Sequence, residues 1–357
     1  MTLIIAEAGV NHNGSEKLAF ELVDAAHAAG ADIVKFQTFT ANDLVTDSAI
    51  QAEYQVRNTR KEQSQFSMLE RLELSRDAHF RLVEYCNSLG IEFLSTAFDS
   101  QSLRFLVEDL KLKRLKIASG ELTNAPFVLE HARSRLPLIV STGMATLAEI
   151  EAALSVIAFG YTAPLTSTPT VTGCQSAYAS IEGSKALRER VTLLHCTTEY
   201  PAPIAEINLR VMDTIGSAFG LRVGYSDHSE GIVVPIAAAA RGATIIEKHF
   251  TLDRGLEGPD HLASLEPAEL KAMVKAISQT YSALGIAVKT PTESEIKNKS
   301  VARKSLVANK IIKAGEIFTP NNVGIKRPGS GLSPYKFWSL MNVTSKCDYA
   351  PGDLIKE

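Results

Sequence analysis

The chain is poor in cysteine and lacks a long hydrophobic run. Its four cysteines stand far apart and form no C-x-x-C pair, which excludes a disulfide framework and a thiolate zinc site. The longest apolar run, residues 232–240, contains Pro235 and is too short to span a membrane. The first apolar stretch lacks a basic lead-in and is interrupted by Glu7, so we expect no signal peptide and a cytoplasmic location.

A surplus of basic charge is also missing. With 37 basic and 40 acidic residues the formal net charge is −3, so we expect neither a nucleic-acid nor an anionic-membrane partner. Neither G-x-x-x-x-G-K-[ST] nor G-x-G-x-x-G occurs, and a nucleotide is therefore not implied. The apolar fraction of 45% does provide for a sizeable core.

What is present is a recurring unit: a short apolar run rich in Val and Ile, followed by a helical pattern. The predicted strands are residues 3–6, 33–36, 92–95, 115–117, 138–140, 191–194, 223–225 and 244–246. Several helical stretches stop at a glycine before the next strand, as at Gly30 and Gly90. Eight strand–helix units predict a (β/α)₈ barrel, with an open doubly wound sheet as the alternative.

The pattern divides the chain into a barrel over 1–284, a linker over 285–295 and a small β-rich domain over 296–357. Two segments interrupt the repeat inside the barrel. Residues 38–74 are polar and are predicted to be a long loop over the active face. Residues 160–190, rich in Ser, Thr, Pro and Gly, are predicted to be a flexible surface insert.

Polar and ionisable residues follow every predicted strand. In a barrel these positions meet at one mouth, and unpaired buried charges cost several kcal/mol each, so such a gathering predicts a functional site. Lys35 and Lys116, with Ser119 and Ser141, could bind an anion beside a helix start; the alternative is that both lysines are surface charges.

Two histidines, His228 and His249, end consecutive strands and could share Mn²⁺ or Mg²⁺ among nearby oxygens. A neutral pair in the core is the alternative, and His12 and His195 stand at similar levels and could compete as ligands.

Three glutamates at the strand ends, Glu7, Glu121 and Glu247, could act as acid–base groups. The alternative is that each forms a salt bridge with a lysine across the mouth.

The motifs of the chain, taken in order, resemble the N-acetylneuraminate (sialic acid) synthase family, which includes N,N'-diacetyllegionaminate synthases. They are IIAEAGVNHNG, STAFD, KIASGEL, STGM, LLHCTTEYPAP, GYSDHS, IEKHFTLD, GPDHLASLEP and KRPGSG. The resemblance covers nearly the whole chain. It implies a barrel, a linker and a C-terminal domain similar to type III antifreeze protein (a SAF domain).

The resemblance implies a condensation of phosphoenolpyruvate with an N-acyl amino sugar. A divalent ion on His228 and His249 would polarise the open-chain aldehyde, C3 of phosphoenolpyruvate would attack it, water would add at C2, and phosphate would leave. Glu7 and Glu121 are the candidates for proton transfer.

Phosphoenolpyruvate contacts are expected from Lys35, Lys116, Ser119, Ser141 and Ser226. Acceptor contacts are expected from Gln37, Glu121, Tyr200 and Asp260. Thr198 stands where the motif often has Asn.

The family pattern also implies a swapped homodimer in which Arg327 of the small domain reaches the N-acyl group at the partner's mouth. As acceptor, the sequence favours N-acetylmannosamine, with the legionaminate precursor 2,4-diacetamido-2,4,6-trideoxymannose as the alternative.

The sequence leaves two rival functions open. One is a Schiff-base sialic acid lyase using Lys35 or Lys116 as nucleophile. The other is ice binding by the tail, which its many lysines disfavour.

Overall fold

The computed structural model describes residues 2–46, 48–59, 61 and 63–356. The chain divides into two compact units, Met1–Gly285 and Ile286–Glu357. The linker predicted for residues 285–295 stays a prediction. Among the described residues, no helix has the length and apolar character needed to cross a membrane.

The first unit is a closed barrel of parallel strands in sequential order, which confirms the predicted fold. Its strands are β1 Leu3–Gly9, β2 Ile33–Thr38, β3 Glu92–Ala97, β4 Leu115–Ile117, β5 Leu138–Ser141, β6 Val191–His195, β7 Arg222–Asp227 and β8 Ile245–His249. β1 pairs with both β2 and β8, and this closes the sheet. A closed parallel sheet brings all eight carboxyl ends to one mouth.

The helices of this unit follow the strands. They are α1 Glu16–Ala29, α2 Ala41–Leu44, α3 Glu53–Thr59, α4 Gln65–Glu70, α5 Arg76–Leu89, α6 Ser100–Arg104, α7 Ala125–Arg133, α8 Leu147–Thr162, α9 Val171–Ala179, α10 Ile181–Arg190, α11 Val211–Phe219, α12 Val233–Ala240 and α13 Pro267–Leu284. In α1 the sequence sets both ends of the helix. Ser15 caps its N-terminus, and Gly30 ends it in the left-handed conformation.

The prediction of a flexible insert at residues 160–190 was wrong. The segment holds α9 and α10, whose first turns are capped by Thr170 and Ser180. Cys174 of α9 is buried in a small cluster with Leu129 and Phe159. Threonine and serine here serve as helix caps, and that is why their abundance was misread as a loop signal.

The segment 38–74, predicted to be a loop, contains three short helices, α2, α3 and α4. Val10 and Phe39, which follow β1 and β2, form a buried cluster with Met68 and Leu72. This cluster fixes the segment on the barrel's carboxyl-end face.

In strand β8, successive charged side chains lie on opposite faces of the barrel sheet. Glu247 and His249 line the cavity at the mouth, whereas Lys248 between them does not. Successive side chains of a strand point to opposite faces. Lys248 instead forms a fully buried ion pair with Asp227, at 2.7 Å between Nζ and Oδ2. It also donates to the carbonyl of Ser229.

We expect Lys248→Met to lower the free energy of unfolding by about 3–5 kcal/mol, because it leaves Asp227 charged and unpaired inside the protein. Urea unfolding of the full chain measures this change. Arg81→Met is the matched control, since it removes an exposed pair with Glu16 and should leave the midpoint nearly unchanged. Equal, small shifts for both variants would contradict the structural role of the buried pair.

The second unit has its own small core. An antiparallel pair, β9 Ser305–Ala308 and β10 Val323–Lys326, accompanies the helices α14 Glu293–Ala302 and α15 Phe337–Leu340. The buried hydrophobic residues of this core are Leu306, Ala308, Ile312, Phe318, Val323, Tyr349 and Ile355. Thr292 and Glu295 form a capping box at the start of α14, inside the region that the sequence predicted as linker.

Candidate active site

A cavity of about 330 Å³ lies where the carboxyl ends of the barrel strands meet. Twelve of the thirteen residues predicted for the site line it. They are Glu7, Lys35, Gln37, Lys116, Ser119, Glu121, Ser141, Tyr200, Ser226, His228, His249 and Asp260. The thirteenth, Arg327, lies in the second unit, where its Nε donates to the carbonyl of Ala302 at 3.0 Å.

Two lysines and two glutamates form a buried charge network at the base of the cavity. Glu247 stands between Lys35 and Lys116, with carboxylate–ammonium distances of 3.6 Å and 3.5 Å. Lys35 also contacts Glu7, its partner in the β1–β2 register. All four side chains are nearly inaccessible to solvent. The salt-bridge alternative therefore holds for Glu7 and Glu247, in the same cavity as the predicted anion site, whereas Glu121 pairs with no lysine among the described residues.

Burial and mutual interaction set the protonation of these groups. Burial penalises the charged form of Glu7 and raises its pKa, an effect that Lys35 only partly opposes. Burial would also raise the pKa of Glu247, but Lys116 and Lys35 lower it below the ordinary range. Burial lowers the pKa of Lys116, while Glu247 and Glu7 overcome the same effect in Lys35 and raise its pKa. With Glu247 ionised and Glu7 tending to hold a proton, the two ammonium groups leave a surplus of positive charge.

Hydroxyl groups extend this positive region toward the start of α8. Lys116 donates to Ser141 at 2.6 Å, and Ser226 donates to Glu247 at 2.8 Å. Ser119 accepts from the backbone N–H of Gly143 at 3.0 Å. Hydroxyls and ammonium groups together supply the donors that a phosphate or carboxylate requires.

The two predicted metal ligands lie close to each other in the lining of the cavity. The ring centroids of His228 and His249 lie 5.6 Å apart. His228 donates through Nδ1 to the carbonyl of Thr197 at 2.6 Å, so its Nε2 carries the lone pair, which accepts from the hydroxyl of Tyr200 and is the atom that could bind a metal. Burial lowers the pKa of His228 to about 4 and that of His249 well below its ordinary value. Both imidazoles are therefore neutral at neutral pH and able to bind a metal ion.

The other two candidate histidines do not line this cavity. His195 donates through Nε2 to the carbonyl of Ile207 at 2.7 Å. His12 accepts through Nδ1 from the N–H of Gly14 at 3.0 Å. His228 and His249 therefore line the cavity, whereas His12 and His195 make hydrogen bonds elsewhere although they too follow barrel strands.

The donor set around the two imidazoles fits an ion that takes several oxygen ligands. Among the described residues, no group of three or more His, Cys, Asp or Glu side chains is arranged to hold an ion by itself. Nδ1 of His249 is buried without a hydrogen-bond partner among those residues, and the hydroxyl of Tyr200 lies 3.2 Å from Nε2 of His228. Two nitrogens with substrate and water oxygens would suit Mn²⁺ or Mg²⁺ better than a closed zinc site.

The positions around Gly9 bring three of the predicted residues together. A β-carbon at Gly9 would lie 3.3 Å from Oε1 of Glu7, 3.4 Å from Cε1 of His249 and 3.5 Å from Nε2 of Gln37. Gly9 has φ +53°, which also favours glycine. Glu7 is thus held close to an imidazole that could bind the metal.

The predicted acceptor residues Gln37, Glu121, Tyr200 and Asp260 line the same cavity. The ring of Tyr200 stacks on His228 with centroids 4.1 Å apart. Burial raises the pKa of Asp260 to about 6. Glu121 accepts from Asn124 at 2.8 Å. Thr198, at the position that departs from the motif, also lines the cavity, and its hydroxyl has no partner among the described residues.

Several cavity residues were not singled out from the sequence. Thr96 accepts from Lys35 at 3.0 Å, and the ring of Tyr54 packs on Tyr200 at 5.0 Å between centroids. Gln55 and Gln65 line the cavity as well. Thr96 is recognisable in the sequence as a polar residue near a strand end, but the other three belong to the segment that the sequence predicts to be a loop.

We expect Glu7→Gln to lower kcat/KM by about 10²–10³, the usual contribution of a positioned proton donor. The raised pKa of Glu7 keeps its proton available toward neutral pH, so wild-type kcat/KM should fall as pH rises through that pKa. The variant should lose this limb of the pH profile. Glu151→Gln, an exposed change on α8, is the control. If kcat/KM of Glu7→Gln still falls with rising pH as it does in the wild type, the group responsible for that fall is not Glu7.

Comparison with known protein families gives matches over both units. The NeuB family model matches residues 22–289, and the SAF domain model matches residues 303–357. The chain is 45% identical to an N,N'-diacetyllegionaminic acid synthase of Campylobacter jejuni, over 100% of this chain and 99% of the relative. It is 44% identical to a protein of the same description from Legionella pneumophila, over 98% and 92% of the two chains.

More distant relatives include a pseudaminic acid synthase of Campylobacter jejuni, 33% identical over 99% of this chain and 95% of the relative. Among solved structures, the N-acetylneuraminic acid (sialic acid) synthetase of Leptospira borgpetersenii superposes with a TM-score of 0.67 at 31% identity. That match covers 83% of this chain and 90% of the other.

Proposed function

The chain belongs to the NeuB family of nonulosonic acid synthases, and from that premise we propose that it condenses phosphoenolpyruvate with 2,4-diacetamido-2,4,6-trideoxymannose to form N,N'-diacetyllegionaminic acid. The sequence alone had favoured N-acetylmannosamine. The identities of 45% and 44% to two N,N'-diacetyllegionaminic acid synthases favour the legionaminate precursor instead.

The observation that carries the proposal is the pairing of two buried lysines with two neutral imidazoles in one cavity. Phosphoenolpyruvate carries a phosphate and a carboxylate, and two ammonium groups with hydroxyl donors match those charges. The imidazoles line the same cavity as the lysines, so an aldehyde oxygen bound at them would lie close to the enol phosphate.

A divalent ion bound by His228 and His249 would supply positive charge to the aldehyde oxygen. Lys35, Lys116 and Ser141 would hold the enol phosphate with C3 toward the aldehyde carbon. As the C–C bond forms, the aldehyde oxygen takes a proton, for which Glu7 beside His249 is positioned. Water then adds at C2 and returns one proton to Glu7, and phosphate leaves with cleavage of its bond to C2 and takes the remaining hydroxyl proton, which gives the 2-keto acid.

The acceptor would be held above this centre by Gln37, Glu121, Tyr200 and Asp260. Arg327 would contribute from the small domain of a partner subunit in a homodimer, since a guanidinium offers several donors to the oxygens of an N-acyl sugar. Arg327→Ala should then raise the acceptor KM more than the phosphoenolpyruvate KM.

Phosphate release from phosphoenolpyruvate tests the proposal directly. The purified chain would be assayed with 2,4-diacetamido-2,4,6-trideoxymannose, N-acetylmannosamine or no sugar, with Mn²⁺, Mg²⁺ or chelator. We expect release that depends on both metal and sugar and is fastest with the diacetamido sugar. Faster turnover of N-acetylmannosamine would instead support the interpretation that the chain is an N-acetylneuraminate synthase. A lysine adduct trapped by borohydride, with no phosphate released, would establish the lyase chemistry instead.

A further inference from the structure

One side of the cavity is apolar and comes from the segment between β2 and α5. We call it the apolar wall. Its members are Phe39, Leu44, Val45, Met68, Leu69 and Leu72. Phe39, Met68 and Leu72 are almost fully buried, whereas Leu44, Val45 and Leu69 are half-buried and so are available to a ligand.

The segment that bears the wall is tied across the mouth to the acceptor side. Asn58 donates to the carbonyl of Pro259 at 2.7 Å, and Arg57 donates to that of Tyr200 at 3.1 Å. The ring of Tyr54 packs against Tyr200. The wall is therefore held in place and belongs to the same cavity as the two imidazoles.

The division of the cavity indicates where the far end of the acceptor would lie. The base is taken by the lysines that would bind phosphoenolpyruvate, and the aldehyde carbon must lie near His228 and His249. A six-carbon chain extending from that point would place its polar groups on Gln37, Glu121, Tyr200 and Asp260 and its terminal carbon against the apolar wall, beside which Tyr54, Gln55 and Gln65 also line the cavity.

We infer that the apolar wall selects acceptors whose terminal carbon is a methyl group and rejects those carrying a hydroxyl there. This inference rests on the proposed function. A methyl group buries against Leu44, Val45 and Leu69 without loss, whereas a hydroxyl at the same place loses its hydrogen bonds to water. A hydrophobic pocket discriminates against one added hydroxyl by about 100-fold at most.

A pair of acceptors that differ by one oxygen tests the inference. They are 2,4-diacetamido-2,4,6-trideoxymannose and its 6-hydroxy counterpart, 2,4-diacetamido-2,4-dideoxymannose. We expect kcat/KM of the wild type to favour the deoxy sugar by about 10–100-fold. Leu69→Asn should reduce this ratio to within about threefold of unity, mainly through the KM of the deoxy sugar, while the KM for phosphoenolpyruvate stays unchanged.

Two further variants guard against a general loss of structure. Val45→Thr adds a hydroxyl at nearly constant volume, and it should shift the ratio in the same direction as Leu69→Asn. Glu70→Gln changes an exposed neighbour on α4 and should leave the ratio as in the wild type.

Equal use of both sugars by the wild type, or a ratio that Leu69→Asn and Val45→Thr both leave unchanged, would overturn the inference. Phosphate release with the deoxy sugar would still support the proposed function in that case. Absence of release with either diacetamido sugar would instead refute the proposed function itself.

Discussion

Replacing Lys116 by methionine is expected to lower kcat/KM for phosphoenolpyruvate by about 10²–10³, since a buried charged donor to a phosphate contributes roughly 3–4 kcal/mol. The ammonium group lies 2.6 Å from Ser141 and 3.5 Å from Glu247. Its removal leaves Lys35 as the remaining lysine at the base of the cavity and leaves Glu247 less well compensated. The carboxylate of Glu247 would then repel the phosphoenolpyruvate anion at the position where Lys116 binds it in the wild type.

The loss should fall mainly on one substrate. Steady-state kinetics with each substrate varied in turn should show a much larger rise in the KM for phosphoenolpyruvate than in that for the sugar. Lys113→Met removes an exposed lysine from the same segment and should behave as the wild type. Equal effects on both substrates would contradict the assignment of Lys116 to the anion.

Replacing His228 by alanine is expected to reduce turnover by at least about 10³ and to abolish its dependence on Mn²⁺, because one imidazole cannot hold the ion in a site with so few protein ligands. The same result is expected for His249→Ala. Binding of Mn²⁺ measured by electron paramagnetic resonance gives a readout that is independent of turnover. Both variants should show the signal of the free ion where the wild type shows a bound one.

A third histidine provides the control for this experiment. His195→Gln alters a histidine at the end of β6 that is bonded to the carbonyl of Ile207 and does not line the cavity. It should bind Mn²⁺ and turn over nearly as the wild type does. Undiminished Mn²⁺ binding in both His228→Ala and His249→Ala would place the metal elsewhere.

Much of this site could be predicted from the sequence because strand ends in a closed parallel barrel share one mouth. Once eight strands were recognised, Lys35, Lys116, His228 and His249 had to lie near one another. Period-two alternation also separates Glu247 and His249 from the buried Lys248, which lies on the other face of β8.

The sequence could not predict what the segment between β2 and α5 adds. Short helices such as α3 and α4 depend on packing against the barrel and give little periodic signal of their own. Tyr54 and Leu69 enter the cavity only because that packing brings them there. For the same reason, the helix caps Thr170 and Ser180 resemble loop residues when only the sequence is considered.

The sequence also could not predict the protonation states of the buried glutamates. Whether Glu247 is a salt-bridge partner or an acid–base group depends on distances to two lysines from other strands. The structure places it between them, and the pKa of Glu247 is lowered as a result, while burial raises that of Glu7. Proton transfer is therefore proposed for Glu7 and not for Glu247.

The most direct measurement is a crystal structure of the chain with Mn²⁺ and phosphoenolpyruvate, using anomalous scattering to locate the ion. We predict one manganese peak within bonding distance of both His228 and His249, and phosphate density in contact with Lys35 or Lys116 and Ser141. A phosphate bound away from these lysines, or two imidazoles that touch no common atom, would contradict the account.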